Sequence, residues 1–382
     1  MDVQQIRELL PVTQDFIYMN TGWSGPAPTT TTKRISEIIE EEARLGPASD
    51  KGVELGREVN KEAIATVSSM MNANKGEITL THSTREGLNA VIYGMTWNNN
   101  DHILICDLEH PALTIPAAVL EQRYGVGVNS IHLDPTSSLD EILESIKSAL
   151  TPKTKLVALS HIQYTCGLKM PIKEICYETN QLGIPVLIDG AQTFGQIAID
   201  VKDLGCDFYA VPGQKWIMGP VGTGALYVKD SIQDTIEPIF STNQIQSKRN
   251  PERIPISKLS LVSNNPGLVA GFTESLKLVS GIGISNIEKR AMALSSLLRE
   301  TVDQSDGVNL LSTSESESAC GLVTIGVNNW SPEDLVGILQ KDYKIVGRTV
   351  HGPDGVRFST HYFNTEQEVY RVVEVLSILA KE

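Results

Sequence analysis

The sequence predicts an α/β protein in which a large domain with a mainly parallel sheet is joined to a smaller α+β C-terminal domain. Short β-rich apolar runs alternate with amphipathic stretches through the first two thirds of the chain, the rhythm of a parallel sheet covered by helices. From about residue 265 the texture changes to longer helical patterns with one clear strand. A chain of 382 residues also exceeds the usual size of one domain.

In chain order the strands are EITLTHS (77–83), HILICD (102–107), KLVALSH (155–161), IPVLIDG (184–190), DFYAVPG (207–213) and GALYV (224–228). A helix over 85–96 follows from Leu88, Val91, Ile92 and Met95, which repeat on one face. A second, over 138–149, opens with the capping pair Ser138 and Glu141. In the C-terminal part GLVTIGV (321–327) reads as a strand and Thr365 with Glu368 starts a last helix. The expected division is 16–255 for the large domain, with 1–15 and 256–382 in the small one. The polar stretch SKRNPERIPISK (247–258) is a connection or an ordered surface loop.

Composition limits the function. Acidic side chains outnumber basic ones by 46 to 32, and the formal charge of −14 repels a nucleic-acid backbone. No window approaches the roughly 18 apolar residues of a membrane span. The start MDVQQIRELL lacks a signal-like apolar run, so the expected location is the cytoplasm. Five cysteines without a CxxC pair are expected to be reduced and mostly buried, with no metal site.

Two segments carry chemistry. In IPVLIDGAQTFG an apolar strand delivers Asp189 at its carboxyl end, where ligands bind in open α/β sheets. Such an acid also serves simply to cap the next turn. Further on, DFYAVPGQKWIMGPVGTGALYV places Lys215 after a Pro-Gly turn, among Gly213, Gly219, Gly222 and Gly224, which allow close backbone approach to a planar ligand. The alternative for Lys215 is a solvated loop lysine.

Together these segments resemble those of the class-V aminotransferase family, which includes cysteine desulfurases, cystine C–S lyases and isopenicillin N epimerase-like proteins. The resemblance runs from YMNTGWSGPAP (18–28) to VRFSTHYFNTEQEV (356–369). It implies a fold-type I, pyridoxal-phosphate (PLP)-dependent transferase fold, with Lys215 carrying PLP as a Schiff base and Asp189 holding the ring nitrogen. It further implies that Ser83, Thr84 and Arg85 face the cofactor phosphate at a helix start. His110 would stack on the ring and move protons. Thr165 would stand near the phenolic oxygen, with Gln192 in support, and Gln214 would face the phosphate. Asn20, Thr21 and Arg357 would bind the substrate carboxylate, with Arg348 and His361 as weaker candidates nearby. Relatives are usually homodimers, and PIFSTNQ (238–244) is the segment expected to reach a neighbour's phosphate site.

Arg85, Thr165 and Gln214 depart from the family pattern. So does KIVGRTVHGPDGVRFS (344–359), which lacks the loop cysteine that a persulfide-forming desulfurase needs. Cys320, just before GLVTIGV, reads as a strand-edge or buried residue. The expected substrate is a small L-amino acid and the leading reaction β-elimination at a C–S bond, as in a cysteine or cystine C–S lyase or a desulfurase-like enzyme. Transamination, epimerisation or racemisation, and a catalytically silent PLP-binding homologue are the alternatives.

Overall fold

All six apolar runs of the first two thirds become strands of one seven-stranded sheet. Its order is Ile78–Thr81, Gly224–Val228, Phe208–Pro212, Val186–Asp189, Thr154–Ser160, His102–Cys106 and Gly127–Ile131. The structure is a computed structural model that describes residues 2–239, 256–259 and 263–381. The last five strands in that order are mutually parallel, whereas Gly224–Val228 runs antiparallel to both of its neighbours.

The continuous apolar runs follow from burial on both faces. Ile103, Ile105, Leu187 and Phe208 pack with Leu88, Val91 and Leu113 of helices Thr84–Gly94 and Pro111–Tyr124. The intervening Leu104, Cys106, Val186, Ile188 and Tyr209 pack on the other face with Ile142, Ile146, Ile172 and Ile175. The seventh strand, Gly127–Ile131, has no apolar run because it is an edge strand with only Ile131 buried. Both capping boxes read from the sequence are formed, at Ser138–Glu141 and Thr365–Glu368.

A four-stranded antiparallel sheet follows, in the order Arg348–Val350, Gly355–Ser359, Leu322–Val327 and Val308–Leu310. Helices Ile284–Asp303, Pro332–Tyr343 and Glu366–Leu379 share its core through Leu294, Leu298, Leu335, Val372 and Leu376. Helix Pro266–Ile282 joins the core of the large sheet through Phe272, Leu276 and Val279. Most of SKRNPERIPISK and PIFSTNQ lies outside the described residues. Among the described residues no single helix is long and apolar enough to cross a membrane.

The N-terminal segment ties the two sheets together. Strand Ile17–Tyr18 pairs in parallel with Ile345–Val346, and the turn that follows is held from both sides. The Gly22 N–H donates to Ser359 Oγ (3.1 Å), Gln192 Nε2 donates to the Gly22 carbonyl (2.8 Å), and the Gly25 N–H donates to the Gln214 carbonyl (2.6 Å). A Cβ on Gly25 would lie 2.4 Å from the Lys215 carbonyl oxygen, so this close approach requires glycine.

Candidate active site

The carboxyl ends of the strands that run together open on one cavity of about 480 Å³. Ser83, Thr84 and Arg85 line it after Ile78–Thr81, His110 after His102–Cys106, Ser160 and Tyr164 from the end of Thr154–Ser160, Asp189 from its own strand, and Gln214 and Lys215 after Phe208–Pro212. This is where an open α/β sheet binds ligands, because the strand ends splay and the loops leave a crevice.

Asp189 is buried, and its Oδ1 accepts from the Ala191 N–H (2.8 Å). Burial raises its carboxyl above the usual range, while Lys215 and that N–H act in the opposite direction. Beneath it Gly190 packs against Tyr209, whose hydroxyl is 2.6 Å from Thr193 Oγ1 and 2.9 Å from His161 Nδ1. A Cβ at 190 would lie 2.0 Å from the Tyr209 ring. Gly190→Ala is therefore expected to lower stability by about 1–3 kcal/mol through overpacking and to weaken cofactor retention by moving Asp189. Urea unfolding and the visible absorbance of the purified protein check this.

For Lys215 burial pushes the amine down to about 8; Asp189 pulls it up, while Arg357 and Arg348 add to the depression. His110 caps helix Pro111–Tyr124, its Nδ1 accepting from the Ala112 N–H (3.0 Å). A neutral imidazole that accepts at Nδ1 carries its proton on Nε2. Burial, then Lys215, Arg85, Arg348 and Arg357, lower its pKa to about 4, so it is neutral at working pH. The Tyr164 ring stands edge-on to it at 4.9 Å.

One end of the cavity is a helix start. Ser83 caps Thr84–Gly94 by accepting from the Glu86 N–H, and Thr84 is buried at the first helical position. Arg85 is exposed on the wall with no hydrogen bond or ion pair among the described residues. Gln214 lines the cavity with its Oε1 buried and unpartnered. The Gln192 amide bridges Gly22 and Trp216, accepting from Trp216 Nε1 (2.9 Å).

Five expected residues do not line the cavity: Thr165, Asn20, Thr21, His361 and Arg357. Thr165 does not line the cavity: it is buried, its carbonyl accepts from the Thr324 hydroxyl, and its neighbour Tyr164 faces the space instead. Asn20 and Thr21 are buried behind the wall because the turn closes on the Asn20 carbonyl, which accepts from Trp23 and Ser24 N–H and turns those two residues outward. His361 is a core residue. Its Nε2 contacts the Trp216 carbonyl (2.9 Å), and burial drives its pKa down to about 3.

Arg357 is fully buried behind Tyr164, donating Nη1 to that residue's carbonyl and leaving Nε and Nη2 without partners. Burial and then Arg348 lower its pKa to about 9. Arg348 sits directly opposite on the neighbouring strand and does line the cavity.

Glu109 belongs to no motif in the sequence, yet it braces the site. Its buried carboxylate accepts from the Ser160 N–H (2.9 Å), Gln163 Nε2 (3.0 Å), the Cys106 thiol (3.2 Å) and the Ser160 hydroxyl. It thereby ties the His110 loop to the Tyr164 loop, and burial raises its pKa to about 6.

The residues fit pyridoxal phosphate: a buried acid for a pyridinium, an amine of lowered pKa for an aldehyde, and a capped helix start beside Arg85, which has no ion pair among the described residues, for a phosphate, with Arg357 Nε and Nη2 left as orphaned donors for a substrate anion. The model of the family described as aminotransferase class-V matches residues 25–372. A probable cysteine desulfurase of Methanothermobacter thermautotrophicus is 28% identical, over 100% of this chain and 98% of that protein. The apo cysteine desulfurase of Thermococcus onnurineus NA1 superposes with a TM-score of 0.89 at 25% identity, covering 99% of this chain and 98% of that one. The cystine C–S lyase C-DES, in complex with its reaction product cysteine persulfide, gives a TM-score of 0.91 at 25% identity, over 96% and 99% of the two chains.

Proposed function

This chain belongs to the class-V aminotransferase family, and from that premise we propose that it is a PLP-dependent enzyme that cleaves the C–S bond of cysteine or cystine by β-elimination. The observation that carries elimination over transfer to a protein cysteine is that all five thiols are buried. Cys320 donates to the Gly167 carbonyl (3.1 Å), and burial raises its pKa, so it offers no thiolate to a substrate sulfur.

Bound in the cavity, PLP supplies a ring that accepts the electron pair released at the substrate Cα. Asp189 would hold the ring nitrogen in its protonated form. Lys215, free as an amine, would be the base for the Cα proton. Elimination would break the Cβ–S bond with its electron pair leaving on sulfur, and His110, on the same cavity wall as Lys215 with its proton on Nε2, would supply a proton there. Arg348, on the cavity wall, would take the substrate carboxylate, with Arg357 behind Tyr164 as the second cation of the pair, and Glu109 would keep the His110 wall in place. Arg85, Ser83 and Thr84 would hold the phosphate, and Gln214 would donate through its amide N–H.

Reduction with borohydride should leave the cofactor on the peptide that contains Lys215. Holoprotein given L-cystine or L-cysteine should release pyruvate without an added keto acid. Amino-group exchange that depends on a keto acid, with no sulfur product, would overturn the assignment.

The lowered lysine pKa has its own consequence. A neutral amine is needed to attack an aldehyde, and Lys215 is mostly neutral only above about pH 8. Cofactor uptake by the apoprotein should therefore rise about tenfold per pH unit below that point and level off above it, which stopped-flow absorbance measures.

Val221, a large apolar side chain exposed on the cavity rim, is the kind of surface that a second copy covers, which supports a homodimer. Five buried, unpaired cysteines accord with a reducing, cytoplasmic compartment.

A further inference from the structure

We propose that Trp23 is a positioning residue that aims Arg348 into the cavity and so sets the affinity of the site for the substrate carboxylate. This role rests on the proposed function, in which Arg348 and Arg357 receive that carboxylate.

Arg348 stands in an unusual position for a cavity arginine. Its side chain has no hydrogen bond or ion pair among the described residues; the contact it does make is with the Trp23 ring, 4.9 Å from guanidinium carbon to ring centroid. Directly across the antiparallel ladder stands Arg357, a second positive charge that repels it. A long side chain under that repulsion gains rotamer freedom by swinging toward solvent. The indole face opposes this, because its quadrupole attracts a guanidinium laid flat on it.

Trp23 can hold Arg348 because it is itself held. Its turn is bonded to Ser359 of the small sheet and to Gln192 and the Gln214 carbonyl of the large one. Gly22 lacks room for a side chain, since a Cβ would lie 2.9 Å from both Gln192 Oε1 and Ser359 Oγ. The direction of Arg348 is thus inherited from a turn anchored on both sheets. Trp23 remains 57% exposed, so its ring contributes little to the core.

The test is a double-mutant cycle on the holoenzyme. Binding of L-alanine, which has no β-substituent to eliminate, is titrated by the change in cofactor absorbance, alongside steady-state kinetics with L-cystine. W23A is expected to weaken L-alanine binding and raise KM by about two- to fivefold, with kcat and the visible spectrum of the resting enzyme unchanged. W23F should recover most of the loss. In an R348A background W23A should have no further effect. Additive losses, or a W23A defect in kcat or in the resting spectrum, would overturn the role of Trp23. If R348A itself leaves L-alanine binding unchanged, the assignment of the carboxylate to this arginine pair fails; if R348A weakens binding and W23A does not, only the role of Trp23 fails.

Discussion

Lys215→Ala is expected to lower turnover by about 10³-fold or more and to abolish trapping of the cofactor by borohydride, while leaving the fold intact. The size follows from the two tasks given to one amine: holding the cofactor covalently, and moving the Cα proton, which alone contributes about 10²–10⁴-fold. The fold should survive because the side chain lines a cavity, and burial already disfavours its charged form. The backbone of residue 215 keeps its place through the bond from the Met218 N–H to its carbonyl (2.9 Å). Circular dichroism and single-turnover kinetics on the same preparation separate the effects. Activity within tenfold of the parent would remove Lys215 from the chemistry.

Arg357→Met should lower kcat/KM for the amino acid by about 10²–10³-fold, on the scale of truncating one partner of a buried charge pair. Stability without substrate should move the other way or hardly at all. In the free protein Arg357 is a buried cation with two unpartnered groups and, among the described residues, no ion-paired carboxylate, and replacing even paired buried charges with apolar side chains of similar volume is often neutral or stabilising by about 1–4 kcal/mol. The loss of its bond to the Tyr164 carbonyl offsets part of that gain. Differential scanning calorimetry beside kinetics gives the answer: a fall in thermal midpoint matching the fall in activity would make Arg357 a structural residue.

Much of this molecule is legible in its sequence, and the illegible parts share a cause. Strands buried on both faces announce themselves as apolar runs, and those runs alone put Asp189 and Lys215 at strand ends. Gly127–Ile131 escapes such a reading because an edge strand with one buried residue has no apolar run. In the loop 161–167 no periodicity tells which side chain faces inward. Anchoring of Gln163 on Glu109 and of the Thr165 carbonyl on Thr324 decides it, and this turns Tyr164, not Thr165, to the cavity. Glu109 looks in sequence like any loop carboxylate, since its partner Ser160 is distant along the chain and meets it only at the adjoining strand end. The pairing of Arg348 with Arg357 has a local signal, the HGPDG turn between them. Read as a hairpin, it puts the two arginines in register.

The fate of the substrate's carbon skeleton tests the central claim most directly. Holoenzyme is incubated with L-cystine, and pyruvate and alanine are quantified by mass spectrometry together with the mass of the intact protein. Elimination without a protein acceptor gives pyruvate and ammonia in equal amounts, one cysteine persulfide for each pyruvate, and a protein of unchanged mass. Alanine as the main product, with sulfur added to a cysteine of the chain, would contradict it.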